Sequence, residues 1–502
     1  MPQLSWYNRE EDLTRAALTP YRLLQPVAGL SYGEPDSANM LIEGDNLDAL
    51  KALLPYYAGQ VKCIFIDPPY NTQSAFEHYD DNLEHSQWLS MMYPRLQLLR
   101  SLLSKDGTIW VTLDDNEAHY FKVIADEIFM RKNFVCNALW QKRTSADARI
   151  QMGAAHDHLF VYARDINKIS LNRLALDRSK ATGFKNPDND PRGPWSSTDF
   201  TAQGWRPNQM YKIQLPSGRI VEPPAGRCWS NIEPVFHELR KQGRMWFGAK
   251  GDGRPRVKNY LAEHEGVSSW TWWPNSEVGH NQESKKEINE LFGADQAFDT
   301  PKPERLIKRI LDIATNPGDI VLDSFLGSGT TAAVAHKTGR QWIGIEMGEH
   351  ARSHCQPRLK EVVLGEQGGI SKSVNWQGGG GFRFFKLGAP VFDENGHIRP
   401  DIRFESLAAH VWFSETGIAR STRAPKESFL GSHNGIGYYL LYNGILGDES
   451  NGGGNVLTRR VLRSLPKFDG PKVIYGEASG LTQEQLDELD ITFKQTPYDI
   501  KA

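Results

Sequence analysis

Val61-Lys62-Cys63-Ile64-Phe65-Ile66-Asp67-Pro68-Pro69-Tyr70 is an apolar run that ends abruptly on a carboxylate and two prolines. After Lys62 the run has no polar alternation, which predicts a strand covered on both faces, as in a parallel sheet. Asp67-Pro68-Pro69-Tyr70 would then sit at the carboxyl edge of that sheet, where α/β folds place their ligands. Neither proline has an N–H to donate. The tetrad is therefore rich in hydrogen-bond acceptors, and Tyr70 adds a ring.

The flanks repeat strand and helix. Met40-Leu41-Ile42 predicts a strand, and Asn46 a cap for a helix over Leu47 to Tyr57. Ser86 to Leu103 carries Trp88, Leu89, Met92, Leu96, Leu99 and Leu103 at helical spacing. Gly107 to Leu113 reads as a strand, and Asp115 as a cap for a helix running towards Phe129. Such a rhythm predicts a doubly wound, Rossmann-like α/β sheet.

The rhythm breaks after Trp140 and returns near Pro303. In between, periodicity is weak, and seven of the 14 tryptophans fall between Trp195 and Trp273. An inserted, mostly β domain is expected. The span 303–350 then resumes with a helix (Pro303 to Ala314), a strand (Ile320-Val321-Leu322), a glycine turn, a helix (Thr330 to Lys337) and a strand ending at Glu346. The expected division is 1–140 and 300–360 for a catalytic domain in two parts, 141–299 for the insertion, and 361–502 for a small α/β C-terminal domain. In the last, Tyr438–Leu441 and Lys472–Tyr475 read as strands and Leu481–Leu489 as a helix.

Bulk properties narrow the class. A chain of 502 residues with 39% hydrophobic content supports several cores. No apolar run reaches membrane-span length and no signal peptide is visible, so no membrane association is expected. Cys63, Cys136, Cys228 and Cys355 form no CxxC pair. Neither a disulfide framework nor a cysteine zinc site is expected, and a cytoplasmic setting fits. Net charge is -3, yet residues 141–260 hold 21 Lys and Arg against 11 Asp and Glu, an excess of ten. Such a segment suits either a polyanion or plain solvation.

Asp323-Ser324-Phe325-Leu326-Gly327-Ser328-Gly329-Thr330 lies where a strand turns into a helix. Glycines admit close backbone approach and positive φ, and a helix N-terminus offers free N–H groups. Glu346 can accept hydrogen bonds from ribose hydroxyls. Gly327-x-Gly329-x-x-Ala332 also fits the dinucleotide fingerprint, so at this level a nicotinamide or flavin ligand competes.

With both motifs in one chain, the sequence resembles the β-class amino-methyltransferases, and most closely the modification (Mod) subunits of type III restriction-modification systems. The likeness rests on Gly44-Asp45-Asn46-Leu47, Ile66 to Thr72, His85-x-x-Trp88-Leu89 and Met92-Tyr93-Pro94-Arg95-Leu96. It continues with Asp114-Asp115-Asn116-Glu117, Pro301-Lys302-Pro303, Ile491 to Gln495 and Pro497 to Ile500. The resemblance implies a DNA methyltransferase that uses S-adenosylmethionine on N6 of adenine. Asp67, Pro68, Pro69 and Tyr70 would be catalytic, with Tyr70 stacking on an extruded base. Asp323, Phe325, Gly327 and Gly329 would hold the methionine part, and Ser328 and Thr330 of the same turn would also bind the cofactor. Lys302 and Pro303 would complete the methionine pocket, Glu346 would take the ribose, and Asp45 and Asn46 would lie near the adenine end. An initial Asp where cytosine-N4 enzymes usually carry Ser favours adenine.

The insertion would be the target-recognition domain. Arg192, Trp195, Trp205, Arg206, Lys250, Arg254, Arg256 and Lys258 are expected to face double-stranded DNA, against a reading in which the tryptophans are core and the basic residues their solvated rim. The tail implies a homodimer and a restriction (nuclease-helicase) partner. A cytosine-N4 enzyme and a recognition subunit without turnover are the alternatives. His156-Asp157-His158 suggests a metal, but strand alternation explains it more simply and no metal is expected. Gly378–Gly381 and Gly452–Gly454 lack the Lys-Ser/Thr of a P-loop.

Overall fold

The computed structural model describes residues 3–71, 84–145, 151–176, 181–293, 300–393, 398–399, 401–421, 424–442 and 455–496. Thr72, Gly452–Gly454 and Pro497–Ile500 fall outside them. The chain forms two compact units, residues 1–172 with 270–502, and residues 173–269.

The first unit is built on one large sheet. Its strands are β1 (Arg22–Pro26), β2 (Met40–Glu43), β3 (Val61–Ile66), β4 (Leu103–Leu113), β5 (Phe134–Gln141), β6 (His156–Ala163), β7 (Trp272–Trp273), β8 (Ile320–Asp323), β9 (Gln341–Glu346) and β10 (Gly381–Pro390). Their spatial order is β1-β10-β2-β9-β8-β3-β4-β6-β5-β7. From β10 to β4 all neighbours are parallel; β6 then runs antiparallel to both β4 and β5. The doubly wound α/β expectation holds at this centre. In β3, Cys63, Ile64, Phe65 and Ile66 are at most 1% exposed, which is why the run tolerates no polar alternation.

Helices cover the sheet: α1 (Arg9–Leu18), α2 (Asn46–Tyr57), α3 (His85–Leu102), α4 (Ala118–Phe129), α5 (Glu304–Ala314), α6 (Thr330–Lys337) and α7 (Gln356–Leu364). On α3 the spacing of Trp88, Met92, Leu96 and Leu99 puts all four on one fully buried stripe. Each leucine there contributes about 1.5–3 kcal/mol. Two caps differ from expectation. Asp45, not Asn46, caps α2, its carboxylate accepting from Leu47 N at 2.7 Å; Asn46 is the first helical residue. Asp115 does not cap α4, whose N-cap is Glu117; the Asp115 side chain turns to His158 instead, at 2.9 Å.

The insertion is narrower as a compact unit than the span 141–299. Strands β6 and β7 continue the large sheet: Leu159, Val161 and Tyr162 are buried where β6 runs between β4 and β5, and Trp273 is buried where β7 pairs with β5. The unit 173–269 is mostly β, as expected. Trp195–Asp199 pairs with Arg256–Tyr260, which pairs with Met245–Trp246; Thr201–Gln203 pairs with Arg227–Trp229. Phe200, Ile213, Leu215, Trp229, Phe236, Met245 and Phe247 form its core around one helix, Glu233–Lys241.

Towards the C-terminus, β10 belongs to the large sheet rather than to the small domain expected from residue 361 on. Phe384 and Phe385 are buried on it beside β2. The small α/β part has its own four-stranded sheet, Phe429–His433, Ile436–Leu440, Lys472–Gly476 and Ile491–Gln495. Among the described residues, no helix is long and apolar enough to cross a membrane.

Candidate active site

Strands β3 and β8 are neighbours, with Cys63 opposite Val321 and Ile64 opposite Leu322. Their carboxyl ends therefore bring Asp67–Tyr70 and Asp323–Thr330 together from distant parts of the chain. This is the edge on which open α/β sheets bind ligands.

Asp67 is fixed from two sides. The Thr112 hydroxyl on β4 donates to Oδ1 at 2.6 Å, and the Lys302 ammonium donates to Oδ2 at 2.5 Å. Lys302 also lies 5.1 Å from the centroid of the Tyr70 ring. The resemblance implied the methionine pocket for Lys302; the structure puts its ammonium on Asp67. The Trp88 indole donates to the Pro69 carbonyl at 2.7 Å, tying the turn to α3.

Tyr70 is half-buried, and its hydroxyl donates to Asp157 Oδ2 at 3.3 Å. Lys142 pairs with the other Asp157 oxygen at 2.5 Å. Burial first, then the Asp157 and Asp67 carboxylates, push the Tyr70 hydroxyl well above its ordinary value, so it stays a neutral donor. Next in the chain, Asn71 takes a positive φ of 59° and donates to Glu117 Oε1 at 2.6 Å. His85 meets the same oxygen at 2.7 Å. Burial raises the Glu117 carboxyl above its usual range.

The glycine turn follows β8. Both Asp323 oxygens are engaged, Oδ1 by Phe325 N at 2.9 Å and Oδ2 by the Thr331 hydroxyl at 2.6 Å. Asp323 is 3% exposed, and burial pushes its carboxyl up to about 7. Gly329 caps α6 in the left-handed region at φ 83°, which an L side chain rarely adopts. Glu346, closing β9, accepts from Gly327 N at 2.6 Å. Asn46 donates to the Ser324 carbonyl at 2.7 Å, and Arg95 holds Asp45 at 2.9 Å and also bonds Asn46. Ser328 and Thr330 share a hydroxyl contact of 3.1 Å, and Arg358 donates to Thr330 at 2.8 Å. Pro303 is buried at the N-terminus of α5.

Asp45, Asn46, the 323–330 turn and Glu346 are thus joined through Ser324 and Gly327. Thr112, Asp157, Lys142, Arg95 and Glu117 were not expected at the site. Arg95 stood in a quoted motif and Asp157 between two histidines. Thr112 carried no signal, since only strand pairing brings it to Asp67.

In the unit 173–269, Trp195 and Lys258, expected to face DNA, are instead 5% exposed. Lys258 pairs with Asp188 and, at 2.9 Å, with Asp190. The Trp195 indole donates to Asp188 at 2.9 Å, and Arg192 pairs with Asp190 at 2.9 Å. Arg256 is held by Ser197 at 2.8 Å. A cation costs too much to bury unless paired, so Asp188 and Asp190 draw Lys258 inward, whereas Arg192 stays exposed beside Asp190. Trp205, Arg206, Lys250 and Arg254 are exposed.

The chain belongs to the DNA methylase family, whose model matches residues 61–356, from β3 to the start of α7. Its relatives include the "Probable type III restriction-modification enzyme HindVI Mod subunit" of Haemophilus influenzae, 32% identical over 413 residues, 71% of this chain and 55% of that protein. The type III restriction-modification enzyme StyLTI Mod subunit of Salmonella typhimurium is 34% identical over 329 residues, 59% of this chain and 49% of the relative. The corresponding EcoPI Mod subunit of Escherichia phage P1 is 29% identical over 408 residues, 66% and 60% respectively. The chain spans roughly half the length of these curated relatives.

Proposed function

We propose that this chain is a site-specific DNA methyltransferase that transfers a methyl group from S-adenosylmethionine to N6 of adenine in duplex DNA. The observation that carries the reading is the meeting of Asp67–Tyr70 and Asp323–Thr330 at the ends of adjacent strands.

The residues around the turn fit the cofactor. Asp323 and Glu346 are nearly fully buried acceptors at the ends of β8 and β9, suited to an ammonium and to ribose hydroxyls. Asp45 and Asn46 lie next to that turn through Ser324. When bound, S-adenosylmethionine supplies an electrophilic methyl group on a sulfonium.

The protein's task is to present the amine. An exocyclic aromatic amine is a poor nucleophile because its lone pair is delocalised. Asp67 and the Pro68 carbonyl accept its two N–H protons, which favours a pyramidal nitrogen with its lone pair directed away from them. Thr112 fixes the carboxylate before the amine arrives. Lys302 already occupies Oδ2, so the amine either shares that oxygen or displaces the ammonium. Asp67 is then the nearest acceptor for the proton the amine loses. The target must leave the duplex to reach this edge, and Tyr70, held by Asp157, offers it a ring in fixed orientation.

Asp at the head of the tetrad favours adenine, in line with the Mod relatives. By the same likeness, the unit 173–269 recognises DNA through its exposed Trp205, Arg206, Lys250 and Arg254, the protein is a homodimer, and a restriction subunit is its partner. The test is transfer of labelled methyl from S-adenosylmethionine to duplex DNA, followed by digestion to nucleosides. N6-methyladenine is expected; N4-methylcytosine alone would overturn the adenine reading. Asp67→Ala is expected to lower transfer by roughly 10²–10⁴-fold while cofactor binding persists.

A further inference from the structure

Strand alternation gives β6 two chemistries. Asp157 points to the Tyr70 side, where it meets the tyrosine hydroxyl and Lys142. His156 and His158 share the opposite face. There they meet Asp115, from the turn that follows β4, displaced from its expected capping role. One ligand atom from each of the three residues lies within 4.8 Å of the other two. Among the described residues, this is the one group of three His, Cys, Asp or Glu side chains so disposed.

We propose that Asp115, His156 and His158 bind a divalent transition-metal ion of the Zn2+ class. His158 Nε2 and Asp115 Oδ1 are already 2.9 Å apart. Two ligands at about 2.0–2.2 Å from one tetrahedral ion are separated by only slightly more than this. The rings of His156 and His158 lie 5.3 Å apart at 70°, so a small rotation of His156 closes the third position. Two imidazoles and one carboxylate select Zn2+, Co2+ or Ni2+ over Mg2+ or Ca2+, which prefer oxygen. The Asp115 side chain is 66% exposed, which leaves an entry path and room for water as a fourth ligand.

The surroundings of His158 suit a ligand. A metal-bound histidine needs its other ring nitrogen held by a partner that fixes the tautomer. His158 Nδ1 lies 2.9 Å from the Asn137 amide on β5. In the metal-free arrangement that amide donates to Nδ1, and Nε2–H points at Asp115. The Asn137 Oδ1 is buried without a partner. Turning the amide over presents this oxygen to Nδ1–H and frees the Nε2 lone pair for the ion. No hydrogen bond or ion pair joins a cluster residue to Asp67, so the ion would clamp the start of β6 to the β4–α4 turn, on the face opposite Asp157.

Calorimetric titration of the full chain with Zn2+ tests this, with Co2+ absorption reporting the coordination. Saturable one-to-one binding is expected, with a Tm that rises with Zn2+ concentration and no comparable binding of Mg2+. His156→Ala and His158→Ala should each weaken Zn2+ binding at least about tenfold and lose the rise of Tm with Zn2+ concentration. Should either histidine variant fail to fold, Asp115→Asn tests the same site from an exposed position and should also weaken binding. Absence of saturable Zn2+ binding in the wild type would overturn the proposal. So would unchanged affinity in the folded variants, or Mg2+ binding as tight as Zn2+.

Discussion

Lys302, just before α5, and Asp67, just after β3, form an ion pair of 2.5 Å between residues that lie on either side of the unit 173–269 in the sequence. Thr112 holds the other Asp67 oxygen at 2.6 Å, so the carboxylate has little rotational freedom. Removing the ammonium would free Oδ2 but also unlock the group that aligns the amine. Alignment outweighs access here, because small misplacements of reacting groups are costly. Lys302→Met should therefore lower kcat by roughly a hundredfold while cofactor affinity falls much less. Single-turnover kinetics and cofactor titration separate the two, and an unchanged kcat would mean the pair is idle in catalysis.

Asp323 makes stability depend on pH. Burial raises its carboxyl from an ordinary 3.8 to about 7 in the folded protein. The folded state therefore holds a proton that the unfolded chain has lost across that window. The contribution is fully present below the unfolded value and is lost as pH rises through about 7. Asp323→Asn, which cannot ionise, should flatten this part of the profile and be relatively more stable above pH 7. Urea unfolding of both proteins across that range measures the difference; parallel profiles would refute it.

Where an element's own residues decide its environment, the sequence was legible. The apolar run of β3 and the stripe on α3 specify burial by themselves, and the two motifs mark their strand ends. Long-range pairing was not legible. Thr112 reaches Asp67 only because β4 lies beside β3, and β6 joins the large sheet only because it runs antiparallel between β4 and β5. Charge misled in one place. Lys258 sits in a basic stretch and read as DNA-facing, but Asp188 and Asp190 lie some seventy positions earlier. Alternation in His156-Asp157-His158 was the alternative to a metal, yet that alternation is what gathers both histidines beside Asp115.

Gly329 occupies the left-handed region at φ 83° where the turn enters α6. A Cβ would find ordinary contact with Cys355, at 3.5 Å, so backbone strain rather than a clash sets the cost. Gly329→Ala should destabilise the protein by about 1–2 kcal/mol. Because the strain falls on the turn assigned to the cofactor, affinity for S-adenosylmethionine should drop as well. Denaturant unfolding and calorimetry test the two effects, and a variant with wild-type stability would show that the turn adapts freely.

Two basic residues of the unit 173–269 should respond in opposite ways to removal. Lys258 is 5% exposed between Asp188 and Asp190. Arg192 foremost, with Tyr260 and Lys258, holds the Asp190 carboxyl well below the usual carboxylate range. Lys258→Met would leave those carboxylates short of a counter-charge and should cost about 3–5 kcal/mol, read as a lower unfolding temperature. Arg254 is exposed and a surface change should hardly move stability. If it contacts a phosphate, Arg254→Ala should weaken DNA binding alike across sequences and reduce the slope of log K against log salt by about 1. A wild-type slope would remove Arg254 from the DNA-facing surface, and wild-type stability of Lys258→Met would remove Lys258 from the structural core.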